Sequence, residues 1–278
     1  MNLNWYESIL YGLLSGLTDI LPVSAQAHRV LLLKFFGMKG DADLLHLLIH
    51  LGIFAALYIS CQQQIVRMSR ARSLAKIPKR RRKRPLDTRS LMDFSLLKTM
   101  AIPVILSLFL YEKASSLGSK LFWVAILLFL NGIILYVPQF LPGSNRDSRT
   151  LSRVEGLLMG LGGAFSILPG VSAIGAATSI GSVCGVERSY SLNMALIMNM
   201  VINIGLIILD VMGIIANGLG DLSFIIAIRY IVSALVAFGG TMLGIRIMRT
   251  LTANVGYGLF GLYCFGLSLF TFILNLMA

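Results

Sequence analysis

Charged side chains are scarce in this 278-residue chain, and their scarcity excludes an ordinary soluble domain. Only 13% of the residues are Asp, Glu, Lys or Arg and 56% are hydrophobic, whereas about a quarter of a soluble domain is charged. The mean hydropathy is +0.82, and several apolar runs approach the roughly 20 residues that a spanning helix needs. These runs are continuous and do not alternate with polar residues, which excludes a membrane β-barrel. The composition predicts an all-α polytopic membrane protein.

Cysteine and histidine are also rare. The three cysteines, Cys61, Cys184 and Cys264, are odd in number and far apart, which excludes a disulfide framework and a cysteine metal cluster. Two of the three histidines, His46 and His50, lie one helical turn apart, a spacing that permits metal binding. Because no acidic cluster accompanies them, we predict that they face the central cavity and do not hold zinc.

Positive charge is concentrated in one segment. The net charge is +12, and eleven of the 24 basic residues fall between Arg67 and Arg89. Such a run can bind nucleic acid. In a membrane protein it is more typical of a cytoplasmic loop that faces anionic lipid. We therefore predict a cytoplasmic loop over residues 62–93, with membrane lipids and not nucleic acid as its partners.

Two long apolar segments, 4–36 and 154–185, are interrupted by helix-breaking residues. The first is broken from Pro22 to Arg29 and the second at SILPGVSAIG. Non-helical backbone at membrane depth is tolerated where protein or water covers it, so both segments are predicted to be re-entrant helical hairpins. Six further segments are predicted to span the membrane: residues 44–61, 94–112, 120–141, 190–216, 222–245 and 254–276.

The arginine distribution predicts the orientation. With loop 62–93 in the cytoplasm, the crossings place loop 142–153 and the turn with Arg246 and Arg249 on the same side. Every arginine cluster then lies inside, as the positive-inside rule requires. Both termini are predicted to be external.

An internal repeat relates the two halves of the chain. At an offset of 148 residues, Glu7 matches Glu155, and the tripeptide VSA recurs with the same offset. Three predicted spans follow each broken segment, which indicates two halves, 1–141 and 142–278, of opposite membrane orientation. Inverted repeats with broken helices place the binding site near the midplane, where the breaks meet.

The residues at the breaks suit an anion. A helix that restarts inside a membrane presents unpaired N–H groups and the positive end of its dipole. Ser24 and Ser172 stand at the restarts, where each can cap a helix or contact a ligand oxygen. His28 and Arg29 beside them suit a phosphate or diphosphate, although Arg29 can also extend to the lipid headgroups. Asp19 is a candidate proton acceptor, metal ligand or partner of Arg29 or His28.

Both breaks lie in motifs that resemble a known family. The stretches S-G-L-T-D-I-L-P-V-S-A-Q-A-H, 15–28, and P-G-V-S-A-I-G-A-A-T, 169–178, resemble the signatures of the bacterial undecaprenyl pyrophosphate phosphatase (bacitracin-resistance) family. The resemblance implies an inverted-repeat fold in the bacterial cytoplasmic membrane. It also implies a role in recycling the lipid carrier of cell-wall synthesis, with a polyprenyl phosphate or diphosphate bound between the hairpins. A divalent cation, Mg²⁺ or Ca²⁺, is a candidate cofactor on the same grounds.

The resemblance, taken with the chemistry of the breaks, selects the candidate site residues. The candidate catalytic residues are Asp19, His28 and Ser172, with Asp19 also a candidate metal ligand. The candidate phosphate-binding residues are Ser24, Arg29, Gly170, Ser172 and Arg188, the last of which matches a family arginine downstream of the second motif.

Two departures from the motifs bear on catalysis. Ser15 stands where the family has its first glutamate, and Ala173 stands where it has an arginine. Losing an arginine that stabilises developing charge slows phosphoryl transfer severely. We therefore predict either weak dephosphorylation of the lipid carrier or its translocation without cleavage. The alternative is a carrier of an unrelated anion on the same scaffold, and a homodimer is left open.

Overall fold

The fold is built from helices. The computed structural model describes residues 3–37, 43–142, 145–219, 222–254 and 257–277. Within these residues no β-strand forms, and one isolated bridge joins Arg146 and Val186. This confirms the all-α prediction. The α-helices are α1 (Trp5–Ile20), α2 (Ala25–Phe35), α3 (Asp43–Ala75), α4 (Thr88–Leu108), α5 (Tyr111–Ser115), α6 (Leu121–Tyr136), α7 (Arg153–Ala164), α8 (Ala173–Val183), α9 (Arg188–Asn217), α10 (Phe224–Asn254) and α11 (Gly258–Met277).

Among the described residues, six helices are long and apolar enough to cross a membrane, namely α3, α4, α6, α9, α10 and α11. Each corresponds to one predicted span, so the predicted number of spans is confirmed. Helix α3 is longer than predicted and runs beyond residue 61 to Ala75. Residues 62–75 contain neither glycine nor proline and are rich in good helix formers. The link from α3 to α4 is therefore residues 76–87 and not the predicted 62–93.

Helices α1 and α7 begin in the same way. The Asn4 side chain accepts from Glu7 N at 2.9 Å, and the Glu7 carboxylate accepts from Asn4 N at 2.7 Å. Ser152 and Glu155 form the same capping box at the start of α7. A capping box satisfies two N–H groups that have no partner within the helix. The matched glutamates of the sequence repeat thus have the same local role.

Helices α2 and α8 share their length and both of their ends. Each has 11 residues, with Ser24 and Ser172 as the respective N-caps. Each is followed by a glycine with a positive φ, 64° at Gly37 and 74° at Gly185. Glycine adopts this backbone conformation without the steric penalty of a Cβ atom. The two broken segments therefore repeat each other in local structure at the offset of 148 residues.

The packing of the broken segments also repeats. Helix α1 packs on α10, and α7 packs on α4. A Cβ atom on Gly12 would overlap the backbone of Ser233 in α10, and one on Gly160 would overlap the backbone of Met100 in α4. Gly12 and Gly160 are 148 residues apart, so matched glycines allow both close helix contacts.

The helix breaks are narrower than the sequence predicted. The first break was predicted to run from Pro22 to Arg29, but α2 resumes at Ala25 because Ser24 caps it. His28 and Arg29 are therefore residues of a helix and not of a loop. The second break likewise ends at Ser172, where α8 is capped.

The two breaks contact each other despite their separation in sequence. The N–H of Gly170 donates to Ser24 Oγ at 3.1 Å. Asn131 of α6 joins the breaks a second time. Its Nδ2 donates to the carbonyl of Pro22 at 3.1 Å, and its Oδ1 accepts from the N–H of Ser172 at 3.0 Å. One buried amide thus satisfies a backbone group from each half of the chain.

We expect Asn131→Leu to lower the melting temperature of the detergent-purified protein. The leucine leaves the Pro22 carbonyl and the Ser172 N–H without this partner in a buried region, at a cost of about 1–3 kcal/mol for each group. Asn217→Leu, at the exposed end of α9, is the control and should melt close to the native protein. An unchanged melting temperature for Asn131→Leu would contradict the bridging role.

Candidate functional site

A cleft lies where the two breaks meet. Ala25 and Gln26 at the start of α2 line it, as do Ser172 and Ala173 at the start of α8. The first N–H groups of a helix have no acceptor within that helix, and the helix dipole adds partial positive charge there. Two positive helix ends therefore border the same space.

Asp19 and Arg29 line this cleft together with Asn199. Asp19 lies in the last turn of α1, and its carboxylate accepts from Asn199 Nδ2 at 2.7 Å. One turn further along α9, Asn203 is fully buried and its Oδ1 has no hydrogen-bond partner among the described residues. The cleft thus combines a guanidinium, a carboxylate and neutral amides.

One wall of the cleft is apolar. Helices α4 and α9 and the second break contribute aliphatic side chains beside the polar groups: Val104, Leu108, Ile167, Val171, Ile202 and Leu206. A ligand in this cleft therefore meets a charged end and a hydrocarbon surface.

Arg29 is connected to the buried His50 and, through it, to the partly exposed Asp210. Its Nη1 lies 3.4 Å from His50 Nε2, and His50 Nδ1 lies 2.7 Å from Asp210 Oδ2. His46, one turn earlier in α3, contacts the hydroxyl of Tyr11 at 3.0 Å. Neither histidine lines the cleft, contrary to our expectation that both face the central cavity. Their polar neighbours lie on α1, α2 and α9, behind the cleft.

Several predicted site residues lie outside the cleft lining. His28 Nδ1 contacts the carbonyl of Ser24 and its Nε2 contacts the hydroxyl of Tyr263, both at 2.8 Å. Ser24 is 1% exposed, and its hydroxyl accepts from Gly170 N. Arg188 begins α9, eleven residues before Asn199 and therefore about 16 Å away along the helix. The structure brings Asp19, Arg29 and Ser172 together on the cleft, and its lining does not include the other four predicted residues, Ser24, His28, Gly170 and Arg188.

Ser24 has an unusual backbone. With φ of 68°, it is the only residue other than glycine with a positive φ among the described residues. Such conformations cost about 1–3 kcal/mol and persist where the surroundings enforce them, often at functional sites. Here the contact with Gly170 holds Ser24 in place. Its position fixes the start of α2, and with it one of the two helix ends at the cleft.

Among the described residues, the cleft offers few carboxylates to a cation. No group of three or more His, Cys, Asp or Glu side chains converges within the described part of the chain. Asp19 is the single carboxylate on the cleft, and an amide donor already occupies one of its oxygens. Mg²⁺ and Ca²⁺ need several oxygen ligands, so a cation here would need neutral oxygens of the protein, water or the bound phosphate in addition to Asp19.

Comparison with known proteins identifies the relatives of this chain. The sequence profile described as "Bacitracin resistance protein BacA" matches residues 8–270. The chain belongs to this family. The Undecaprenyl-diphosphatase of Methanobrevibacter smithii is 26% identical to it over 272 residues, 96% of each chain. That of Thermosipho melanesiensis is 26% identical over 269 residues, 96% of this chain and 98% of the relative. That of Paenarthrobacter aurescens is 30% identical over 187 residues, 67% and 66% of the two chains.

Membership of the BacA family confirms the resemblance that the two motifs indicated, and with the six apolar helices it makes the chain a multi-pass membrane protein. Of the two departures from the motifs that bear on catalysis, Ala173 lies on the cleft. Ser15, the other departure, is 1% exposed, and its Oγ has no partner among the described residues. It does not line the cleft.

Sequence reasoning missed several functional neighbours. Asn199, Asn203 and Asp210 recur along one apolar spanning helix, α9. Polar side chains inside a span are costly and mark functional positions, so the signal was present. Asn131 in α6 carried the same signal. His50 was noticed, but its pairing with Asp210 spans 160 residues and no local pattern reveals it.

Proposed function

We propose that this protein binds a polyprenyl diphosphate in the cleft at the two helix breaks and hydrolyses it weakly. The observation that carries the proposal is the convergence of two helix N-termini and Arg29 on one cleft that also holds Asp19. Helix N-termini and arginine are the usual ligands of phosphate groups. The names of the relatives, Undecaprenyl-diphosphatase, support a diphosphate ester of this class as the substrate.

The apolar wall favours a lipid over an unrelated small anion. A free anion gains nothing from Val104, Leu108, Ile202 and Leu206, whereas an isoprenoid chain buries apolar surface against them, at about 25 cal/mol for each Å². Competition binding distinguishes the two ligands. Farnesyl diphosphate should displace a labelled polyprenyl diphosphate at concentrations at which inorganic diphosphate does not.

In the proposed reaction, water attacks the terminal phosphorus of the bound diphosphate. The bond from that phosphorus to the bridging oxygen breaks, and polyprenyl phosphate and inorganic phosphate leave. Asp19 takes the proton of the attacking water, a role worth about 10²–10⁴-fold in rate for a well-placed base. Arg29 and the helix ends stabilise the negative charge that develops. Ser172 caps α8 and in this scheme orients one of those ends.

The reaction is weak in this proposal because Ala173 replaces the family arginine. Ala173 is the first residue of α8 and lines the cleft, so the missing guanidinium would have pointed at the headgroup. Binding needs fewer charges than catalysis, because the extra charge of the transition state needs its own stabilisation. The alanine at position 173 also favours a second candidate function, translocation of the lipid phosphate without cleavage.

The architecture we propose is an inverted repeat of two halves, 1–141 and 142–278, each with one re-entrant hairpin and three spans. Matched capping boxes, matched serine caps and matched glycine contacts at an offset of 148 residues support it. In this arrangement α1 with α2, and α7 with α8, enter and leave on one side. The breaks would then meet near the midplane, as in other inverted-repeat membrane proteins.

We expect the link between α3 and α4 to face the cytoplasm and both termini to be external, in the cytoplasmic membrane. In the opposite orientation, the eight basic residues within residues 76–89 would have to cross the membrane, against the positive-inside rule. A cysteine at Arg81, introduced without the native cysteines, should react with an impermeant maleimide only in opened cells. A cysteine at Lys113, after α4, should react in intact cells. Labelling of the Arg81 position from outside would reverse the proposed orientation.

The proposed function is tested with purified protein and a long-chain polyprenyl diphosphate. We expect saturable binding together with slow phosphate release, measured with and without a divalent cation. Binding without any phosphate release, with transfer of polyprenyl phosphate across proteoliposomes, would support translocation instead. The absence of both binding and release would refute the proposed substrate.

A further inference from the structure

Three helices meet through a chain of polar side chains behind the cleft. Asp210 of α9 and His50 of α3 lie 2.7 Å apart, and His50 lies 3.4 Å from Arg29 of α2. The side chains of His50 and Asp210 are only 3% and 13% exposed. Buried polar groups on spanning helices are costly unless a function retains them, and the reaction scheme above uses neither of these two.

The identity of the partners determines the protonation of His50. A guanidinium has N–H donors and no acceptor, so the ring nitrogen that faces Arg29 must be the acceptor. Nε2 is therefore unprotonated, and the ring proton is on Nδ1, which donates to the Asp210 carboxylate. A cationic His50 would direct an N–H at Arg29, with two donors facing each other. In this tautomer His50 accepts from Arg29 on one side and donates to a carboxylate on the other.

We propose that the Asp210–His50 pair positions Arg29 for the phosphate headgroup in the cleft. Arg29 is a long side chain, and fixing such a side chain costs up to about 2 kcal/mol of conformational entropy. A guanidinium that His50 already restrains loses less freedom when the ligand arrives, which strengthens binding. His50 and Asp210 act through Arg29 and do not touch the ligand. This inference rests on the proposed function, since it needs an anion in the cleft.

Other polar residues lie close to the Arg29–His50 contact. Asp19 lines the same cleft as Arg29. His46 is a ring neighbour of His50, with 6.5 Å between the ring centroids. His46 contacts Tyr11, so it provides a matched control one helical turn away on the same helix.

A double-mutant cycle tests the proposal, with binding of farnesyl diphosphate to detergent-purified protein measured by calorimetry. We expect His50→Leu to weaken binding about tenfold, which corresponds to about 1.4 kcal/mol. In an Arg29→Gln background the same change should have almost no effect, because the residue through which His50 acts is absent. His50→Gln, whose amide oxygen can accept from Arg29, should keep most of the affinity. Equal effects of His50→Leu in both backgrounds would overturn the proposal.

Two further measurements separate positioning from a general structural role. His46→Leu should leave the affinity for farnesyl diphosphate nearly unchanged, and equal losses for His46→Leu and His50→Leu would contradict a specific role of His50. In ¹⁵N-histidine spectra without ligand, His50 should be neutral with its proton on Nδ1, and Arg29→Gln should shift its Nε2 resonance. A cationic His50, or a proton on Nε2, would overturn the proposal. If this signature is present but farnesyl diphosphate does not bind, the proposed function fails and the Arg29–His50 contact stands.

Discussion

Ala173→Arg should raise the rate of phosphate release from polyprenyl diphosphate by about 10²-fold, since one well-placed charge donor is typically worth 10²–10³-fold in kcat. Ala173 is the first residue of α8, 8% exposed, and it lines the cleft. An arginine at this position starts from the positive end of the helix and can extend to the headgroup. It would supply a positive charge that this position lacks. The measurement is kcat on detergent-purified protein.

The control for this gain is Ala173→Gln, which has a long polar side chain without the charge. It should leave kcat within about threefold of the native value, because electrostatic stabilisation needs the guanidinium. An equal gain for Ala173→Gln would mean that side-chain size and not charge limits the reaction. A native rate already equal to that of Ala173→Arg would mean that Arg29 alone supplies the charge.

Ser15→Glu should behave differently, although it also restores a family residue. Ser15 is 1% exposed and lies on α1 between Gly12 and Gly16, both of which contact the backbone of α10. Placing a longer, charged side chain in a packed site costs stability. We therefore expect a lower yield of folded Ser15→Glu protein and a smaller gain in kcat than for Ala173→Arg.

The sequence was sufficient for the parts of the fold that depend on local patterns. Long apolar runs predicted the six spanning helices. Helix-breaking residues predicted two broken segments, and the offset of 148 residues related them to each other. In the structure they share serine caps and terminal glycines. The exact ends depended on side-chain contacts. Ser24 starts α2 four residues before His28, so the break is shorter than the stretch of polar residues indicated.

The candidate site was harder to predict because its residues come from six helices and the second break. Asp19, Arg29 and Ser172 do line one cleft, but the motif that contains His28 gave no indication that its ring pairs with Tyr263, 235 residues later. On a helix, adjacent residues point about 100° apart, so His28 and Arg29 face different neighbours. Asn199, Asn203 and Asp210 lie outside both motifs. The packing of α9 against α3 and the hydrogen bond from Asn199 to Asp19 relate them to the site.

Asp19→Asn should reduce phosphate release about 10²–10⁴-fold, as expected for the loss of a general base. The amide keeps the shape of the carboxylate, and its oxygen can still accept from Asn199 Nδ2, now 2.7 Å from Asp19. It cannot take a proton from water. Binding of farnesyl diphosphate should stay within about threefold or become tighter, because a negative charge beside the headgroup is removed.

The effect of Asp19→Asn on kcat is best measured in the Ala173→Arg background, where the higher rate of the parent protein makes a large loss measurable. Glu7→Gln, at the exposed start of the same helix, is the matched control and should leave kcat unchanged. If Asp19→Asn lowers kcat and the affinity for farnesyl diphosphate by the same factor, Asp19 holds the site together instead of moving a proton. If kcat stays within tenfold of the parent protein, another group accepts the proton, and the role that we assign to the single carboxylate on the cleft is wrong.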